Sequence, residues 1–228
     1  MSFQKPEPKH EGWDAYWSPD AQGAHRLYSV LASVYRRIFI CGRLAYWLGR
    51  NFAPGSSLLH AGCGGGEVDV LISKRYRITA LDISPNALQL YKRHNPEVVD
   101  TVHADLLELD LGYKVFDGAY NLGVMEHFPE AEIVRIFENM MSVVRPDGKL
   151  VIFWPFANAP SVKLLRAWHR LLNRDAKSNV QLHPPEINLI RSKQQIEAIV
   201  QQAGLVLEKY DVSPTDLFIQ AVLVLRRP

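Results

Sequence analysis

The run Leu58-Leu59-His60-Ala61, followed at once by Gly62-Cys63-Gly64-Gly65-Gly66-Glu67, constrains this chain more than any other stretch. An apolar-dominated segment bounded by a glycine cluster reads as a buried strand entering a tight turn. Glycines at 62, 64 and 66 admit positive φ angles and carry no Cβ to hold a ligand off the main chain. The pattern predicts a helix opening near Glu67, with its N-terminal amides aimed into the turn. A dinucleotide fingerprint, G-x-G-x-x-G, needs its third glycine at 67, where this chain has Glu67. A carboxylate there repels a pyrophosphate at the helix N-terminus, which disfavours a dinucleotide. Arg77 to Leu81 forms a second apolar strand ending in Asp82, at about the 20-residue distance that presents a carboxylate to ribose hydroxyls. The carboxylate fits an adenosine ribose on an open α/β sheet.

The rest of the chain alternates strand and helix patterns around that unit. Ser84-Pro85 opens a helix, because serine caps and proline is tolerated in the first turn. Strands are expected at Val98 to His103, Val115 to Leu122, Lys149 to Phe153, Leu205 to Tyr210 and Leu217 to Leu225. The last two are joined by a short connection and so pair antiparallel. Helices are expected to start over Val68 to Ile72, crossing to the second strand, and at Ile133 to Val144, Val162 to Leu172 and Ser192 to Ala203, the third of these in a looser stretch between Trp154 and Arg191. Upstream, apolar residues from Leu27 to Leu48 recur at three-four spacing, predicting a helix from Ala24 to about Arg50, in two pieces hinged near Gly42. Arg36, Arg43 and Arg50 fall seven apart on that helix and predict one shared face, either solvated or turned to an anionic lipid or phosphorylated partner. Trp13, Tyr16 and Trp17 crowd the polar N-terminal stretch and fit either a flap over a binding site or an arm packed on its own core.

Composition bounds the function classes. At 228 residues and 47% apolar, the chain is long enough for one domain with a proper core. A formal net charge of +2 without long like-charge runs gives no general nucleic-acid surface. Cys41 and Cys63 make neither a disulfide framework nor a metal cluster, and suit a reducing, cytoplasmic setting. Residues 1–20 lack the apolar core of an export signal, and the stretch from Val30 to Leu48 holds too many arginines to span a membrane.

Five motifs in order carry a resemblance: Leu58 to Gly66, Leu81-Asp82-Ile83-Ser84, His103-Ala104-Asp105-Leu106, Phe116 to His127, and Val144 to Leu150. With them the chain resembles the class I S-adenosylmethionine-dependent methyltransferases, in particular the small-molecule branch labelled type 11. The resemblance implies a Rossmann-like, doubly wound α/β fold whose seven-stranded sheet is mostly parallel with an antiparallel last strand. It implies a single methyltransferase domain over 1–228, with an N-terminal arm and helical cap at 1–52. The core at 53–228 would carry a substrate-lid insertion at about 154–191. Its cofactor is S-adenosylmethionine. By resemblance Ala61, Gly62 and Gly64 border the methionine part, Asp82 binds the ribose, Ile83 and Leu106 sandwich adenine, Asp105 takes its amino group, and Asn121 and Leu122 flank the sulfonium.

His60 departs from the family, which places Asp or Glu there to orient the cofactor's amino and carboxylate ends. An imidazole keeps a hydrogen bond but supplies no negative charge for the ammonium, so it favours the carboxylate, or a charge from elsewhere compensates. For removing a proton from an acceptor the candidates are His127, and His183 with Glu186 in the looser segment; each also fits an ordinary turn. No carboxylate set for a catalytic metal stands out. The strand-four end, Asn121-Leu122-Gly123-Val124, lacks the Asn/Asp-Pro-Pro-aromatic signature of nucleobase amino methylation. The expected partner is a small-molecule acceptor, with oxygen as the accepting atom and no nucleic acid. The rival readings are a protein that binds the cofactor without transfer and a different Rossmann-like nucleotide enzyme.

Overall fold

The structure is a computed structural model that describes residues 9–18, 36–98, 100–112, 115–157, 187–216 and 218–228. Seven strands, β1 Ser57–Ala61, β2 Arg77–Asp82, β3 Asp100–His103, β4 Phe116–Leu122, β5 Val144–Pro155, β6 Val206–Val212 and β7 Gln220–Arg226, form one sheet. Their order is β3-β2-β1-β4-β5-β7-β6. The first five pair parallel, and β7 runs antiparallel to both β5 and β6, as expected for this doubly wound α/β fold. The sequence order reverses between β1 and β4, and an open sheet binds ligands beyond its strand ends at such a point.

Alternation along the strands divides the core into two layers. Leu59, Ala119, Leu150, Ile152 and Trp154 face helices α4 Glu130–Ser142 and α5 Lys193–Gln202. Leu58, Ile78, Tyr120, Val151 and Phe153 face helices α2 Cys41–Asn51 and α3 Pro85–His94. Each buried Leu, Ile or Phe contributes about 1.5–3 kcal/mol, so both faces hold the sheet. The helix α3 starts where Ser84 and Pro85 predict, with Ser84 Oγ accepting from the Ala87 amide at 3.1 Å. A second serine cap, Ser192 on Gln195, opens α5. No described helix is long and apolar enough to cross a membrane.

Several expectations need correction. The glycine loop leads into a single 3-10 turn, Glu67–Asp69, followed by irregular turns and no α-helix. Asp69 is drawn inward to buried partners and sits at 0% exposure, while only residues 70–76 remain before β2 begins. The stretch Arg145 to Gly148 is absorbed into β5 as a register shift opposite Asp117, because Gly148 lets the backbones approach. A Cβ on Gly148 would lie 2.5 Å from the Asp117 carbonyl oxygen. The helix before β1 is described from residue 36, as a π-helical turn Arg36–Ile40 running into α2; the change of winding falls at Ile40/Cys41 rather than at Gly42. The three arginines do not share a solvated face. Arg43 is 5% exposed and pairs with Asp211 at 2.7 Å and with fully buried Asp216, tying α2 to the β6–β7 hairpin. Arg36 meets Glu67 at 3.2 Å, and Arg50 lies over the Tyr46 ring. The expected helix at 162–172, together with His183 and Glu186, lies outside the described residues.

Candidate active site

The carboxyl ends of β1, β2, β3 and β4 bring the predicted residues to one edge of the sheet. Gly62, Gly64 and Gly66 adopt φ values of 68°, 51° and 72°, a region that disfavours any residue with a Cβ. A Cβ on Gly62 would lie 2.5 Å from Val124 Cγ2, so the turn is shaped by its lack of side chains. Asp82 holds the loop in place. Its Oδ2 accepts from the Gly64 amide at 2.8 Å and its Oδ1 from the Ser84 amide at 2.9 Å. Burial pushes the Asp82 carboxyl above its ordinary value, and these two backbone hydrogen bonds oppose that rise. A carboxylate has about four lone-pair sites, so two remain for ribose hydroxyls.

At the β1/β4 junction Asn121 is fully buried, and its Nδ2 donates to the Ala61 carbonyl. Its Oδ1 has no hydrogen-bond partner among the described residues, an acceptor held beside the glycine turn. Leu122 and Ile83 stay half-buried. The Ile83 carbonyl accepts from His103 Nε2 at 2.9 Å. Asp105 caps the 3-10 turn Leu106–Glu108, accepting from the Leu107 amide at 2.8 Å. Leu106, expected on an adenine face, packs into the core layer with α4 and is 6% exposed.

His60 is not a free group at this edge. It is 1% exposed, stacks on Tyr120 at 4.3 Å between ring centroids, and its Nδ1 lies 2.7 Å from Asp69 Oδ2. The same oxygen accepts from the Tyr120 hydroxyl at 2.8 Å and from the Tyr91 hydroxyl. Burial first, then the charge of Asp69, pushes both phenols far up, so they remain donors. Sequence reading missed Asp69. The one available signal was an acid inside the apolar run Val68-Asp69-Val70-Leu71-Ile72, where a solvent-facing helix position would be ordinary.

The N-terminal arm lies across this edge as the helix α1 Lys9–Tyr16 and the residues just after it. Asp14 Oδ1 accepts from Ser84 Oγ at 2.7 Å and from the Asn86 amide at 3.0 Å, and Oδ2 accepts from Asn86 Nδ2 at 3.0 Å. These bonds, Ser84 foremost, hold the Asp14 carboxyl below its ordinary value. Trp17 covers the glycine loop: a Cβ on Gly64 would lie 2.7 Å from its Cζ2. Trp13 meets the His127 ring edge-on at 4.9 Å. The arm therefore spans the ends of β2, β1 and β4, which is the placement a flap takes.

His127 ends the 3-10 turn Met125–His127 after β4, with its Nε2 3.9 Å from Glu126 Oε1. The Glu126 carbonyl accepts from the amides of Ile187 and Asn188, and the Asn188 carbonyl accepts from Trp154 Nε1 at 2.7 Å. The segment that resumes at residue 187 is thus pinned to the turn carrying His127. The glycine turn, Asp82 and the unmatched Asn121 acceptor fit a cofactor with a ribose and an amino-acid end. Donor groups of that kind answer acceptors of this kind.

Comparison with known proteins agrees with this arrangement. Residues 59–152 match a family model described as a methyltransferase domain. An O-methyltransferase of Pyrenophora dematioidea is 26% identical over 128 residues, covering 52% of this chain and 47% of that protein. A tRNA N(3)-methylcytidine methyltransferase of Schizosaccharomyces pombe is 29% identical over 125 residues, covering 46% of this chain and 50% of that protein. The chain thus spans about half the length of these two relatives. The magnesium protoporphyrin IX methyltransferase of Synechocystis, solved with bound S-adenosylhomocysteine, superposes with a TM-score of 0.70 at 17% identity, over 97% of this chain and 100% of that one. That likeness is one of fold. The motif order, the sheet topology and the methyltransferase-domain match over 59–152 together support a class I S-adenosylmethionine-dependent methyltransferase.

Proposed function

We propose that this protein transfers the methyl group of S-adenosylmethionine to an oxygen atom of a small-molecule acceptor. The observation that carries the donor half is the Asp82 carboxylate, bonded to the Gly64 and Ser84 amides with two acceptor sites left for a ribose. The relative named as an O-methyltransferase supports oxygen as the acceptor atom. When bound, the cofactor supplies an electrophilic methyl on a sulfonium, and the sulfur leaves as a neutral thioether.

The chain's own part is alignment and exclusion of water, which together lower the barrier without covalent chemistry. In this reading Asp82 and the glycine turn fix the donor, while Asn121 and Leu122 flank the reacting centre. His127 accepts the acceptor's proton at a ring nitrogen as the new C–O bond forms and the C–S bond breaks. Trp13 walls that corner. The domain reading keeps residues 1–52 as arm and cap and assigns acceptor choice to that arm and to about 154–191.

The test is thermal shift with S-adenosylmethionine, S-adenosylhomocysteine and NAD, followed by transfer of labelled methyl to hydroxylated small molecules and to tRNA. Stabilisation by the first two ligands and label on a small-molecule oxygen support the proposal. An NAD-only response, binding with no transfer to any acceptor, or label confined to tRNA overturns it.

A further inference from the structure

The formal net charge of +2 hides an uneven division between the two faces of the sheet. On one face α4 carries Glu130, Glu132 and Glu138 against Arg135, and α5 pairs Lys193 with Glu197. On the other face, the stretch from Arg36 to Arg50, the stretch from Val70 to Arg77 and the helix α3 contain no acid. The first two lie side by side: Cys41 Sγ donates to the Glu67 carbonyl at 3.5 Å, and a Cβ on Gly49 would lie 3.5 Å from Arg75 Nη1. The turn that leads into the second stretch adds Glu67, which pairs with Arg36, and Asp69, which is buried. Arg37, Arg50, Arg75 and Arg77 therefore stay exposed with no carboxylate partner among the described residues.

The same face leaves apolar side chains in water. Ile38 is 64% exposed and Leu71 61%, and Tyr46 and Val70 are exposed with them. The π-helical turn Arg36–Ile40 joins these groups. It packs against the Glu67–Asp69 turn on one side and, on the other, against a 3-10 turn Pro214–Asp216 that is followed by exposed Phe218. Single exposed apolar residues are ordinary, but aliphatic side chains gathered among unpaired cations have the composition of an interfacial surface. We propose that this face, centred on Arg37, Ile38 and Leu71, docks the protein on an anionic lipid membrane. Charge complementarity selects a negative surface. Ile38, Val70 and Leu71 select a membrane over nucleic acid, because aliphatic groups gain burial among acyl chains and nothing from a phosphate backbone. The face also adjoins the glycine turn, since Glu67, held by Arg36 at 3.2 Å, directly follows Gly66. Docking there sets the ligand-binding edge of the sheet beside the lipid.

Co-sedimentation of the full chain with phosphatidylcholine vesicles, with and without about one-third phosphatidylserine, reads the docking directly. The wild type should sediment with the anionic vesicles, remain in solution with the neutral ones, and be released as ionic strength rises. Arg37→Ala and Arg50→Ala should each weaken the partition about fivefold. Ile38→Ser combined with Leu71→Ser should weaken it roughly tenfold or more. Circular dichroism of that variant should stay native, since both side chains are exposed. On the wild type, amide hydrogen exchange should slow over 36–50 and 70–77 when anionic vesicles are added, and not over α4, a readout that needs no variant. A wild type that stays in solution or sediments equally with neutral vesicles overturns the inference. So do variants that sediment as the wild type does, or protection of this face by tRNA or by a second copy of the chain in place of vesicles. None of these readouts involves the cofactor, so their failure leaves the methyl-transfer reading standing.

Discussion

Replacing Asp82 by Asn should separate what this residue does for the fold from what it does for the ligand. The carboxylate serves two backbone donors, the amides of Gly64 and Ser84. Asparagine keeps one acceptor oxygen and presents an NH2 to the other donor, so one bond to a charged acceptor, worth about 1.5–3 kcal/mol, is lost. Against that loss, the substitution removes a buried charge whose desolvation already pushes the carboxyl up. The opposing signs leave a net destabilisation below about 2 kcal/mol, a drop in Tm of less than about 8 °C for a domain of this size. Affinity has no such compensation. Losing the charged acceptor for a ribose diol should cost about 2–4 kcal/mol, or roughly 30- to 700-fold in S-adenosylhomocysteine affinity. Calorimetry on a variant with native circular dichroism reads the second quantity and a melt reads the first. A folded variant whose affinity stays within threefold of wild type refutes the assignment. The pH dependence has a definite sign: ribose hydroxyls donate to the ionised form, so affinity falls as Asp82 protonates. Because burial raises its pKa above 3.8, that fall begins at a higher pH than for an exposed aspartate.

Gly64→Val places a β-branched residue at φ 51° and drives its Cβ into Trp17. It should abolish S-adenosylhomocysteine binding with far-ultraviolet circular dichroism unchanged, and shift tryptophan emission as the indole is displaced; retained affinity would mean that ligand and loop do not meet. Arg43→Met strips buried Asp216 of its guanidinium and should cost about 3–5 kcal/mol, a fall in Tm of about 6–20 °C. The melt should show this loss in full, and a drop under 3 °C would assign the pair no structural weight. Trp17→Ala should lower S-adenosylhomocysteine affinity, whereas Trp13→Ala should lower turnover and leave that affinity within twofold. Matching effects of the two substitutions on both quantities would contradict the placement of one indole on the donor loop and the other on His127.

The glycine turn and its neighbours were legible because their information is local. A strand that ends in glycines, an acid one crossover later and a serine-proline cap are each written within a few consecutive residues, and the fold places them where that grammar requires. What sequence did not disclose is settled through space. The seven-residue spacing of Arg36, Arg43 and Arg50 correctly implies helical periodicity, but whether that face meets water depends on the β6–β7 hairpin, about 170 residues away, which covers Arg43 with Asp211 and Asp216. Likewise Val68 to Ile72 has apolar residues enough for a helix. The turn wins because Asp69 is taken by donors on β1, α3 and β4, a partnership no window of neighbouring residues contains.

That contrast bears on how the acceptor side should be dissected. The arm touches both halves of the edge: Asp14 binds Ser84 and Asn86 beside Asp82, Trp17 lies on the glycine loop, and Trp13 meets His127. Deleting the whole arm would therefore depress donor affinity and turnover together, even if acceptor choice resides entirely at its Trp13 end. The clean partition follows from geometry along the arm. Trp13 and Trp17 are one helical turn apart, yet they rest on the ends of different strands, β4 and β1, so single substitutions divide what truncation merges. The same logic extends to the turn after β4. Its Glu126 carbonyl anchors the return of the chain at Ile187 and Asn188, so His127 sits between Trp13 and a segment held at the β4 turn rather than at the Asp82 loop. On the proposed function, Trp13 variants should change the acceptor while S-adenosylhomocysteine affinity stays as it is.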